Sequence, residues 1–304
     1  MNDSTALSKL TALSELTALS GLKVIKPGIQ SLLQDTGRTG WHSMGITSGG
    51  PLDQRAFYWA NLLCNNPKES AALEITLGGL VLESAVKTSI AVTGADIPLS
   101  INNRLAELWQ SHSINPGDRI ELGFARSGVR AYLAVAGGFQ VEPVFKSVAT
   151  VTREGLGGLK GDGSPLKEGD LLPCKQQEGT DKNSLWRLPS PLRPDYSQKS
   201  ITLRVVPGYQ EAAFSAAQKQ QFFSSEYLLT QDSNAMGYRL KGKPIKPSIE
   251  TMLSEGITLG AVQFPADGQP IVLLNDRQTI GGYPKIGSLL SLDIARLAQL
   301  PAGA

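Results

Sequence analysis

With 304 residues that include 29 basic and 27 acidic side chains, the chain is long enough for two domains and carries no net field of the kind that gathers nucleic acid or an acidic membrane. Glycine at 32 and proline at 18 favour short elements joined by tight turns, so the expected fold class is mainly β with a few helices. Two cysteines (Cys64, Cys174) without a C-x-x-C pair and two histidines (His42, His112) exclude a disulfide scaffold and a two-histidine zinc motif, and they fit a reducing, cytoplasmic home.

In chain order, Thr-Ala-Leu-Ser recurs from Thr5, Thr11 and Thr17, with leucines at 7, 10, 13, 16, 19 and 22. A spacing of three walks around a helix and builds no apolar face, so residues 1–21 are expected to be a disordered extension. Lys9 and Glu15 interrupt any signal-peptide core, and no run reaches the ~18 apolar residues of a membrane span. Residues 22–26 and 29–33 read as strands around Pro27-Gly28. Leu52, Ala56, Trp59 and Leu63 mark one face of a helix over 51–65 that Pro67 stops. Strands follow at 74–77, 89–93, 119–122 and 129–135, then a Gly-rich loop over 155–170. A proline-rich stretch at 176–200 divides a domain over 22–195 from one over 196–304. The second opens with a strand at 201–206 and a helix at 211–223, and closes with a helix at 293–299.

Several motifs fail on chemical grounds. Residues 237–243 match the first seven positions of a phosphate loop, but Pro244 stands where a Mg²⁺-binding hydroxyl is needed and no helix follows. The glycines at 155, 157, 158 and 161 miss the dinucleotide spacing and read as turns. His42 reads as a polar residue beside a turn, and no G-x-S-x-G elbow is present. No metal site is expected.

Two groups of polar residues among glycines remain. The first is Gln34-Asp35-Thr36-Gly37-Arg38 with Ser48-Gly49-Gly50 and Asp53; the second is Gln263 with Asn275-Asp276-Arg277-Gln278 and Gly281-Gly282-Tyr283. Glycine lets backbone approach a ligand, while amide, carboxylate and guanidinium groups orient a small polar substrate. Asp53 has a second reading as the cap of the helix that begins near Pro51.

These residues, together with Pro27-Gly28, Ala60-Asn61-Leu62-Leu63, Leu73-Glu74, the run 130–138, residues 237–242 and the run 278–284, resemble the allophanate hydrolase subunit 2 or KipA family, which is biotin-dependent carboxyltransferase-like. The resemblance covers residues 22 to about 301 and implies two cyclophilin-like β-barrel domains. It implies the role of the C subunit of an ATP-dependent 5-oxoprolinase, opening 5-oxoproline to glutamate together with a KipI-like B subunit, and with an A subunit as the third component. ATP, with Mg²⁺, is then shared with the partner. Alternatives are a biotin-dependent carboxyltransferase of the urea and allophanate pathway, or a non-catalytic regulator of a KipI-like protein. On this reading Asp276, Gln278 and Gln263 are the catalytic candidates that position a small amide or lactam. Arg239 and Arg38 stabilise anionic charge, and Gly281, Gly282 and Tyr283 shape the pocket. Gln34 and Asp53 complete the substrate-binding candidates. Because the two groups fall in different domains, they are expected to act separately, with residues 34–38 serving a partner interface. Two departures are expected to weaken the second domain or its activity. Ala235 stands where relatives carry Arg before Met-Gly, and the chain ends at Ala304, before a strand and helix found in the family.

Overall fold

The computed structural model describes residues 20–177, 186–249 and 252–304, so residues 1–19 of the expected extension and part of the expected boundary segment lie outside the described residues. The first half holds strands β1 (Gly21–Pro27), β2 (Gln30–Gln34), β3 (Ala72–Thr76), β4 (Leu80–Ser84), β5 (Thr88–Asp96), β6 (Leu99–Ile101), β7 (Arg104–Ala106), β8 (Ser111–Ile114), β9 (Arg119–Leu122), β10 (Ser127–Val135) and β11 (Leu171–Pro173). They form two sheets, ordered β11-β1-β4-β9-β6-β7 and β2-β3-β10-β5-β8. Helix α1 (Gln54–Leu63) follows β2.

The alternation of side chains explains how these layers stack. Along β10, Ala131, Leu133 and Val135 face a core shared with Leu22, Val24, Leu80, Leu82 and Ile120 of the other sheet. Tyr132 and Ala134 point the opposite way, onto Ala56, Phe57, Ala60 and Leu63 of α1. A strand covered on both faces needs an unbroken apolar run, which is what residues 131–136 supply.

The second half contains β12 (Val205–Pro207), α2 (Ala216–Ser224), β13 (Leu228–Leu229), β14 (Gly237–Lys241), β15 (Glu255–Gly256), β16 (Ala261–Gln263), β17 (Ile271–Leu273), β18 (Ile280–Gly281), β19 (Lys285–Leu289) and α3 (Ser291–Leu297). Six strands make one sheet, β12-β19-β16-β17-β14-β13, while β15 and β18 pair separately as a strap. Val262, Val272, Tyr238 and Ile286 fill its inner face against Phe222 of α2 and Ile294 and Leu297 of α3. Leu52, from the first half, is buried in this same core. The outer face carries a small apolar patch of Ile257, Ala261 and Leu273.

Two expected elements are shorter than the pattern suggests. The strand expected over 201–206 begins only at Val205, because the Arg204 N–H donates to Asp293 Oδ2 (2.7 Å) and not to a neighbouring strand. The helix expected over 211–223 breaks at Phe214, whose extended backbone sends its ring into the core 5.2 Å from that of Phe264. Ser215 then starts α2 afresh with a capping box to Gln218. Cys64 and Cys174 are free and buried. Among the described residues no helix is long and apolar enough to cross a membrane.

Candidate functional site

Strand β17 delivers residues 275–278 to the seam between the halves. Asn275 Nδ2 donates to the Pro51 carbonyl (2.8 Å), and the Gly49 N–H donates to the Asn275 carbonyl (3.2 Å). Thr47 Oγ1 lies 3.2 Å from the Arg277 carbonyl and also meets Glu154. The two polar groups expected to act separately therefore grip one another. Asp276 sits half-buried in this junction, its N–H on the Ala235 carbonyl (2.8 Å). Burial pushes its carboxyl up to about 7, reinforced by the charges of Glu74 and Glu154 and opposed by Arg153 and Arg38. A carboxyl so placed exchanges protons at neutral pH.

Arg38 is 1% exposed, whereas Thr36 of the same segment is exposed. The Arg38 Nε donates to the Val144 carbonyl (3.1 Å) and Nη2 to that of Ser147 (3.4 Å), while Nη1 is buried without a partner. Gly157, at φ +68°, makes room for this guanidinium: a Cβ there would collide with Arg38 Nη2 and with the Ala149 carbonyl. Gln34 is also buried; its Nε2 reaches the Thr150 carbonyl (3.3 Å) and its Oε1 has no partner. Asp53 takes the capping role that the sequence also offered. It is fully buried, caps α1 through the Ala56 N–H (3.0 Å), and accepts from Tyr196 Oη (2.7 Å) and Gln299 Nε2 (2.9 Å).

On the outer face of the second sheet the register sets Lys285 opposite Gln263, Gln263 opposite Ile271, and Ile271 opposite Arg239. Opposite residues share a face. Gln263 is 2% exposed and its Nε2 has no partner. Gly281 lies between two carboxamides: a Cβ there would stand 3.0 Å from Gln263 Nε2 and 3.4 Å from Gln278 Nε2. Gly282 packs against the Met252 carbonyl, and Tyr283 is 40% exposed. Arg239 is exposed and pairs with Ile271, at the end of β17 away from Asp276, so it does not join the Asp276 junction. Arg277 links the two regions, since its carbonyl meets Thr47 while its Nε donates to the Ile257 carbonyl (3.0 Å) beside the strap. Thr47, Arg153 and Glu154 also belong to the junction, and no local motif marks them in the sequence.

The sheet architecture finds counterparts in known proteins. The family model described as Carboxyltransferase domain, subdomain A and B, matches residues 44–304. The chain belongs to this carboxyltransferase-domain family. Among its relatives, the 5-oxoprolinase C subunit of Escherichia coli (strain K12) is 38% identical over 93% of this chain and 88% of the relative. The protein of the same name from Haemophilus influenzae is 32% identical over 90% of this chain and 86% of that protein. The crystal structure of Kluyveromyces lactis urea amidolyase superposes with a TM-score of 0.84 at 27% identity, covering 93% of this chain. This carboxyltransferase-domain chain spans only 18% of that larger one.

Proposed function

We propose that the chain acts as the C subunit of a 5-oxoprolinase and supplies acid–base chemistry for opening a small cyclic amide, in a complex with a KipI-like B subunit, the A subunit being the third member. The observation that carries the reading is Asp276, a carboxyl pushed up to about 7 where the halves meet. The similarity to two 5-oxoprolinase C subunits supports the choice of substrate.

Lactam opening adds the oxygen of water to the ring carbonyl carbon, breaks the C–N bond and places a proton on the departing nitrogen. Asp276 takes a proton from the water and returns one to the nitrogen, because both of its forms are populated near neutral pH. The Arg38 guanidinium favours the charge that Asp276 carries once it has given up its proton.

ATP is assigned to the complex. Residues 237–241 form strand β14, and Pro244 follows where a helix would have to begin, so they do not fit a triphosphate. Among the described residues no group of three or more His, Cys, Asp or Glu side chains is placed to hold a metal ion, and Mg²⁺ is assigned with the nucleotide.

The test is reconstitution of all three components in one mixture. 5-Oxoproline should stimulate ATP hydrolysis, and Asp276→Ala should abolish the stimulation; no stimulation of the wild-type complex would refute the reading. The likeness to urea amidolyase favours a second reading, biotin-dependent carboxyl transfer. The chain has no Met-Lys pair to carry biotin, so this needs a carrier on another protein, and carboxylation of urea by the chain with such a carrier would establish it.

A further inference from the structure

Lys285 lies outside the chemistry assigned to Asp276, yet it is 9% exposed, unusually deep for an ammonium. A β-bulge places it there. Val262 pairs with Gly287 and Gln263 with Lys285, leaving Ile286 as the extra residue. Ile286 turns into the inner core, and Lys285 is re-aimed to the outer face beside Gln263. Its Nζ stands 2.5 Å from Glu255 Oε1 on the strap, and Glu255 is held in turn by Tyr209 Oη and Gln210 Nε2. The Gln210 carbonyl oxygen of the side chain accepts the Lys285 backbone N–H (2.9 Å), which ties the whole group to β19.

Two donors on adjacent strands are therefore left under-satisfied in one place. Gln263 Nε2 is buried with no partner, and Lys285 Nζ, buried as well, has the Glu255 carboxylate as the ion-pair partner of its three N–H donors. Buried donors of this kind carry a desolvation penalty that an acceptor relieves. One donor is neutral and one is charged, and Gly281 brings bare backbone close to Gln263, where a Cβ would meet Ile257 Cδ1 (2.6 Å) and Gln263 Nε2 (3.0 Å).

We propose that Gln263 and Lys285 form the anchoring pair for a cyclic amide that bears a carboxylate, with Gln263 Nε2 donating to the amide oxygen and Lys285 Nζ pairing with the carboxylate. The choice of this ligand class rests on the functional reading above. Glu255 occupies the ammonium until the ligand arrives, so it competes with the ligand carboxylate and sets the selectivity of the site.

Titrations of the full-length chain followed by saturation-transfer NMR test the proposal with three probes: 5-oxoproline, 2-pyrrolidinone without the carboxylate, and proline without the amide carbonyl. Wild type should bind 5-oxoproline more tightly than either analogue. Lys285→Met should weaken 5-oxoproline about ten- to hundredfold while changing 2-pyrrolidinone less than about twofold. Gln263→Leu should weaken both lactams and leave proline unchanged. Glu255→Gln, which keeps a neutral partner for the strap, should tighten 5-oxoproline, an effect that misfolding does not produce. Absence of 5-oxoproline binding by wild type, or equal effects of Lys285→Met on all three probes, would overturn the pairing. The ATP response separates the two readings: stimulation without binding at Lys285 refutes only the anchoring pair, and binding without stimulation refutes only the oxoprolinase role.

Discussion

Gln299 donates from Nε2 to Asp53 Oδ2 at 2.9 Å, joining the end of the chain to the cap of α1 across 246 positions. The same nitrogen reaches the Arg130 carbonyl (2.9 Å), and Oε1 accepts the N–H groups of Val129 and Arg130 (both 2.9 Å). Replacing Gln299 with Ala strands two buried N–H donors and removes one partner from a buried carboxyl. A loss of roughly 2–4 kcal/mol is expected in urea unfolding.

Arg130 makes the neighbouring crossing. Its Nε lies 3.5 Å from Glu74 Oε1, its Nη1 donates to Tyr238 Oη (2.6 Å) and to the Ala298 carbonyl, and its guanidinium stands 5.7 Å from the centroid of the Tyr238 ring. Glu74→Leu alone leaves this cation buried without its carboxylate and should cost about 3–5 kcal/mol. Adding Arg130→Met should recover a large part of that loss. A double-mutant cycle measures the coupling.

Gly157→Ala probes the packing of Arg38 without touching the arginine. The left-handed backbone alone should cost ~1–2 kcal/mol, and the collision with the Ala149 carbonyl adds to it. Displacing the guanidinium should also lower turnover of the reconstituted complex by more than the stability loss explains. Activity measured well below the melting temperature separates the two effects.

Asp276 predicts a pH dependence of stability. Its folded value of about 7 lies above the ordinary carboxylate range, so the folded state holds this proton more tightly than the unfolded chain does. Stability from this group is full below pH ~4, falls as pH rises through about 7, and is level beyond; three units correspond to about 4 kcal/mol at most. Asp276→Asn should flatten this fall. Melting temperatures of both proteins between pH 4 and 8 provide the measurement.

Elements whose cause is local are legible in the sequence. The spacing of Ala56 and Leu63 marks α1, Asp53 stands at the position of its cap, and residues 129–135 carry the pattern of a strand. The stretches that depart from their pattern are those where a distant group intervenes: Asp293 takes the N–H of Arg204, and the Phe264 ring draws Phe214 out of a helix. The same holds for the candidate site. Asp276 and Arg38 stand out as polar residues among glycines, but their meeting depends on Thr47, Glu154 and Arg277, separated by more than a hundred positions. Nothing in the sequence marks Lys285, because its depth comes from a bulge, which a single strand pattern does not reveal.

Leu52 is contributed by the first half yet is buried among Phe214, Val262 and Leu297 of the second. The hydrophobic contents of the halves are thus not separable: pulling one sheet away exposes a side chain that the other needs. Such a chain should melt as a single calorimetric unit, with van't Hoff and calorimetric enthalpies in agreement. Leu52→Asp should split that one endotherm into two and uncouple the halves that together frame Asp276.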